Sequence, residues 1–142
     1  MKPFLLDVNV LIALFWRAHV HYRAANRWLK ENRRAGFRTS PITQAGFVRV
    51  TSHPRYSGDH MTVAEALGAL NSLLIQPEHE FWPDNLQLAE AIGRSGPISG
   101  HQQITDAYLV ALAIVNGGRL ATFDRGVLTL IGAKGNVELI TS

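Results

Sequence analysis

Residues 104–126, ITDAYLVALAIVNGGRLATFDRG, constrain the fold of this chain more than any other stretch. Ile104–Asn116 carries apolar side chains almost all round a helical wheel, which suits a helix buried in a core. Gly117-Gly118 ends that run as a C-cap does, and Leu120–Phe123 then reads as a short strand with no polar face. A buried helix feeding a buried strand belongs to a parallel sheet whose faces are both covered. Two aspartates bracket this apolar unit: Asp106 opens the helix and Asp124 follows the strand. Carboxylates so placed need a reason, because an unpaired charge against an apolar core is costly.

The rest of the chain repeats the alternation. Phe4-Leu5-Leu6 reads as a buried strand ending at Asp7, and Val8–Trp16 turns into a first helix. His21–Glu31 puts Ala24, Ala25, Trp28 and Leu29 on one face and Arg23, Arg27 and Lys30 elsewhere, the pattern of an amphipathic helix that Arg33–Gly36 terminates. Phe37–Ser40 is a strand, and Pro41 suits the first turn of a helix running to about Ser52. Thr62 and Glu65 have capping-box spacing, predicting a helix through about Ile75, where Pro77 stops it. Glu80–Trp82 reads as a strand, Asp84 as the cap of a helix Asn85–Arg94, and 95–100 as a loop. Val127–Ile131 reads as a short helix and Val137–Ile140 as a last strand. Strands alternating with helices predict an α/β fold with a central parallel sheet.

A chain of 142 residues, 46% hydrophobic and 18% charged, is the size of one globular domain, so 1–142 reads as a single unit. The longest apolar runs, such as Val8–Trp16, fall well short of the roughly 20 residues a membrane span requires, and no signal-peptide pattern appears. A cytoplasmic protein with no membrane partner is the expectation. With no cysteine, any metal must be held by oxygen or imidazole. The net charge of +3 conceals an asymmetry: residues 1–55 carry ten Lys/Arg against two acids, and 56–142 carry four against nine. Arg23, Arg27, Lys30, Arg33 and Arg34 suit contact with a polyanion such as RNA, and read equally well as the solvated face of a helix. Arg17 and Arg49 suit phosphate, or pairing with a carboxylate.

In an open parallel sheet, sites form beyond the carboxyl ends of the strands. Asp7 and Asp124 each follow a strand directly, and Asp106 starts the helix that leads back into the second of these strands, so all three meet at one edge. Each has a plainer reading alone: Asp124 as a cap, Asp106 as an acid favoured by a helix dipole, Asp7 in an Asx turn. Together they repel, and a cation resolves the repulsion. Hard oxygen ligands favour Mg²⁺ or Mn²⁺, and Mg²⁺ beside a basic surface suggests metal-assisted cleavage of a phosphodiester. Thr122 and Asn9 are placed to hold the carboxylates by hydrogen bonds, Asn9 alternatively meeting metal-bound water.

The segments LLDVNVLIAL at 5–14, PITQAGFVRV at 41–50, TDAYLVALA at 105–113 and LATFDRG at 120–126 resemble the PIN-domain toxins of bacterial VapBC toxin–antitoxin pairs, and the likeness spans essentially the whole chain. The resemblance implies a three-layer α/β/α fold, Mg²⁺-dependent endoribonuclease activity, inhibition by a cognate VapB-like antitoxin and a dimeric toxin. It maps the family's acids onto Asp7, Asp106 and Asp124. The family's glutamate in the helix after the second strand falls on Gly46, with the neutral Gln44 nearby; Glu90 is a substitute only if its helix points inward. One metal or two is left open by that departure.

Phe15 and Trp16 suit an apolar groove for an antitoxin helix, whereas Trp28 suits the core. His19 and His21 have the spacing of a metal pair but no third ligand beside them, which favours a surface role. Two alternatives remain: a non-catalytic RNA-binding module on the same fold, and a phosphoryl transferase of haloacid-dehalogenase type. The second needs an acid where Asn9 stands, and a neutral amide cannot move a proton.

Overall fold

The computed structural model of the protein describes residues 1–56 and 60–142. Its sheet has five strands, β1 (Phe4–Leu6), β2 (Phe37–Thr39), β3 (His79–Phe81), β4 (Arg119–Thr122) and β5 (Val137–Leu139), ordered β3-β2-β1-β4-β5. Every pairing is parallel. The helices are α1 (Val8–Phe15), α2 (Tyr22–Asn32), α3 (Pro41–Thr51), α4 (Val63–Leu74), α5 (Leu88–Ser95) and α6 (Ile104–Val115).

Strand alternation builds three layers. Phe4 and Leu6 point into a core shared with α1, α2, Phe47 of α3 and Leu70 and Leu73 of α4, while Leu5 points into a second core made by α5 and α6. Every residue from Ala107 to Ala113 is buried, as a helix without a polar face requires. Gly117, at φ +72°, takes the left-handed conformation that ends α6.

Local signals account for most boundaries. Ser40 caps α3, with Pro41 in its first turn, and Thr62 and Glu65 form the expected capping box on α4. Ala24, Ala25, Trp28 and Leu29 are the buried face of α2, and Trp28 sits edge-on to Phe4 with ring centroids 4.9 Å apart. Two expectations are corrected. Asp84 does not cap the next helix: its Oδ2 accepts from the Ile42 N–H of α3 at 3.1 Å, and α5 begins only at Leu88, behind Gln87. The segment expected as one helix at Val127–Ile131 is two 3-10 turns, Arg125–Thr129 and Ile131–Ala133. Gly132 there packs so closely on the end of α5 that a Cβ would meet Ser95 Cα at 2.8 Å, and Asp124 and Leu130, both extended, bound the first of the two turns.

The chain winds outward from β1 to β3, then crosses back through α5 and α6 to place β4 on the other side of β1. The winding therefore reverses between β1 and β4, and the crevice beyond that switch point is where open α/β sheets bind ligands. Among the described residues no helix is long and apolar enough to cross a membrane.

Candidate active site

Asp7 and Asp124 leave β1 and β4 on either side of the switch point, and α6 brings Asp106 to the same edge in its first turn. Asp7 is nearly buried, 7% exposed, and both its oxygens accept hydrogen bonds: Oδ1 from the Val8 N–H at 2.8 Å and Oδ2 from the Thr122 hydroxyl at 2.8 Å. The Asp7 N–H donates to the Ala121 carbonyl, which ties the turn to β4.

Thr122 is the junction of the site. Its oxygen accepts from Asn9 Nδ2 at 3.2 Å and from the Asp124 N–H at 3.0 Å, so its one proton goes to Asp7. Asn9 does not reach a carboxylate; its Oδ1 accepts from the Phe123 N–H at 3.3 Å. Asn9 thus orients Thr122, and Thr122 orients Asp7. Asp124 also fulfils its plainer role: Oδ1 caps the following turn by accepting from the Gly126 N–H at 2.8 Å, while the residue stays exposed.

The electrostatics bear the mark of crowding. Burial, then Asp7, then Asp124 push the Asp106 carboxyl up from 3.8 to about 6. Burial raises Asp7 as well and the Asp124 charge adds to it, against the lowering effect of the Thr122 and Val8 hydrogen bonds. Asp106 and Asp124 line a cleft of about 530 Å³ whose wall also includes Ser99–Gln103, Gly126 and Thr129. Gln103 fixes that wall, accepting from the Ser99 N–H at 2.7 Å and donating to the Thr129 hydroxyl at 2.9 Å. Sequence reasoning missed His101 and Gln102, although their position just ahead of the Asp106 helix places them at this edge.

Asp7 and Asp106, both raised by burial and by neighbouring carboxylates, suit a cation, and the oxygens gathered at this edge suit a hard one. Among the described residues no group of three or more acidic or imidazole side chains is placed to hold an ion by itself. An Mg²⁺ site needs none, because that ion keeps several waters and takes only one or two carboxylates.

The chain matches the PIN domain model over residues 4–131, a span that includes all three acids. The chain belongs to the PIN-domain family. It is 42% identical to Ribonuclease VapC39 of Mycobacterium tuberculosis over 137 residues, covering 96% of this chain and 98% of that protein. It is 40% identical to Ribonuclease VapC38 of the same organism over 139 residues, covering 96% and 97%. In fold it is similar to a chain of the VapBC2 crystal structure from Rickettsia felis, bound to a promoter DNA fragment, with TM-score 0.66 at 14% identity over 98% and 99% of the two chains. PAE2754 from Pyrobaculum aerophilum gives TM-score 0.58 at 23% identity over 96% and 83%.

Within this PIN domain the missing glutamate has a steric counterpart. Gly46 is buried, and a Cβ on it would stand 2.6 Å from Val8 Cγ2. Val8 fills the space through which an acid at position 46 would reach the site. Gln44 turns away to donate to Thr39 Oγ1 at 3.0 Å, and Glu90 is exposed and pairs with Arg94 at 3.3 Å, so neither replaces it.

The basic residues divide by position. The residue before α2, His21, stacks on Phe123, and the Phe4 N–H takes the Gly36 carbonyl just after it, so α2 runs from the carboxylate edge to the opposite edge of the sheet. Arg17 and Arg23 lie at the carboxylate end, Lys30, Arg33 and Arg34 at the other, and Arg27 between them. Arg33 is already paired with Glu78 at 2.8 Å. Arg49 lines a hollow with Val8 and Thr105, and neither it nor Arg17 pairs with a carboxylate among the described residues. Phe15 packs on Phe47 at 5.6 Å and Trp16 on Tyr56 at 5.0 Å, which leaves each only partly exposed.

Proposed function

We propose that this PIN-domain chain is an Mg²⁺-dependent endoribonuclease and the toxin of a VapBC-type pair, with Asp7, Asp106 and Asp124 holding its metal either directly or through bound water. The observation that carries the reading is the meeting of these acids at the switch point, with Asp106 raised to about 6 by burial and by the other two. A bound Mg²⁺ or Mn²⁺ would supply an activated water and offset charge gathering on the phosphate. The Thr122 hydroxyl aligns Asp7 and favours its ionised form against the burial that raises it, and Asn9 fixes Thr122. His101 and Gln102, which line the same cleft as Asp106 and Asp124, give an RNA strand a polar surface beside the acids. Arg17, Arg23 and Arg49 lie where RNA phosphates would approach, whereas Arg27, Lys30, Arg33 and Arg34 run away from the cleft.

The partner we propose is a VapB-like antitoxin. A basic side chain from it would pair with the acids and compete with the metal for the same oxygens, while Phe15 and Trp16 offer apolar anchorage. A toxin homodimer in the cytoplasm completes the reading. The test is incubation of the purified chain with single-stranded RNA in Mg²⁺ and in EDTA, beside Asp7→Asn. Cutting that needs the metal and Asp7 supports the nuclease. RNA binding without cutting, under conditions where the fold is intact, would refute it in favour of a binding module.

A further inference from the structure

One aromatic cluster at the carboxylate edge has no part in holding the acids. The His21 ring lies on Phe123 with centroids 4.4 Å apart and planes 8° from parallel, and the His19 ring is 5.6 Å from His21 at 43°. The cluster is held firmly. His21 Nδ1 is 3.0 Å from Ser142 Oγ, and the His21 N–H donates to His19 Nδ1 at 3.0 Å. Phe123 stands between Thr122 and Asp124, with its own N–H on Asn9, so the network that aligns Asp7 also sets the height of this stack. Both rings of the stack are only partly buried, and the exposed Arg17 and Arg23 flank His19 and His21 in sequence.

Packing alone does not call for an imidazole over Phe123, since an aliphatic cover would serve. An imidazole gives a flat π-face while its Nδ1 stays hydrogen-bonded to Ser142. Flat rings beside cations are what unstacked bases of single-stranded RNA bind: the base stacks on the ring while Arg takes the adjacent phosphate. We propose that the His21–Phe123 stack is the platform that holds an RNA nucleobase next to the scissile phosphate. The inference rests on the ribonuclease reading and adds a subsite to it. Because every base has a π-face, the platform fixes where the strand lies without choosing its sequence.

The test is binding of a single-stranded oligoribonucleotide to His21→Ala, made in an Asp7→Asn background to keep the RNA whole, and kcat/KM in the otherwise native protein. Binding should weaken on the order of five- to a hundredfold, the range for loss of one base–aromatic stack. His21→Phe should restore it. An abasic nucleotide walked along the oligonucleotide should, at one position only, erase the difference in affinity between the protein that keeps His21 and the His21→Ala variant. An unchanged affinity in folded His21→Ala, a His21→Phe variant as weak as alanine, or a difference that survives every abasic position overturns the platform. Should alanine unfold the chain, His21→Leu, which covers Phe123 without a π-system, is read by the same outcomes. A native protein that cuts no RNA in Mg²⁺ would remove the ribonuclease reading itself, whereas cutting that ignores His21 removes only the platform.

Discussion

Asp106→Asn removes a charge that three features of the fold disfavour, and it preserves the side chain's shape. The Asp106 carboxyl is pushed from 3.8 to about 6 by burial, Asp7 and Asp124. At about 1.4 kcal/mol per pKa unit, the ceiling on what its ionisation costs the metal-free fold is ~3 kcal/mol. The carboxyl lines an open cleft, so solvent screening reduces this to roughly 1–2 kcal/mol. The direction with pH is fixed: a carboxyl that holds its proton more tightly when folded imposes its full cost above about 6, less as pH falls towards 3.8, and none below. In EDTA near neutral pH, Asp106→Asn should therefore raise the thermal midpoint by roughly 3–8 °C. The gain should vanish by about pH 3.5, and added Mg²⁺ should stabilise the native protein more than the variant. Thermal melts followed by circular dichroism read all three, and RNA cleavage by the variant should be lost. A midpoint that is unchanged or lower at neutral pH, in a variant with native circular dichroism, would refute the account of crowded charge.

Thr122→Val should cut cleavage by about 10- to 100-fold and weaken Mg²⁺ binding, because it frees Asp7 and strands two N–H donors; kcat against metal concentration reads this. Gly46→Glu should destabilise the fold by roughly 1–3 kcal/mol through its clash with Val8, and Val8→Ala should recover much of that loss, as denaturant melts of the single and double variants would show. Arg17→Glu with Arg23→Glu should flatten the salt dependence of RNA affinity, while Lys30→Glu with Arg34→Glu should leave it nearly unchanged; equal slopes for both pairs would contradict the division along α2. For the chain bound to the proposed antitoxin, raising Mg²⁺ at constant ionic strength should relieve inhibition of RNA cleavage, and indifference to Mg²⁺ would argue for steric blocking instead.

The sequence carried the fold where local chemistry is self-sufficient. The Thr62–Glu65 box, Pro41 and the apolar face of α2 each declare an element without help from distant residues. Asp84 misled because a capping residue announces only that some helix N-terminus is near, and the one it serves, α3, is brought to it by the fold. The three acids were legible because strand ends mark the binding edge of a parallel sheet. The weight borne by Thr122 was less so, since a hydroxyl at the end of a strand looks the same whether it meets solvent or joins two distant carboxylate-bearing turns. The stack of His21 on Phe123 left no trace in the sequence, because nothing local to either residue points to the other.

The central position of β1 also sets a schedule. The strand that leads into Asp7 is synthesised long before β4, yet it lies between β2 and β4, and its aspartate is held by Ala121 and Thr122. Chains are made N-terminus first, and contacts between residues so far apart in sequence must wait for the later partner to emerge. A ribosome halted anywhere before Thr122 therefore carries a polypeptide with no aligned Asp7 and neither the Thr122 hydroxyl nor Asp124. The strand order thus acts as a safety catch: the nascent chain has no assembled carboxylate site until β4 and Asp124 have been made.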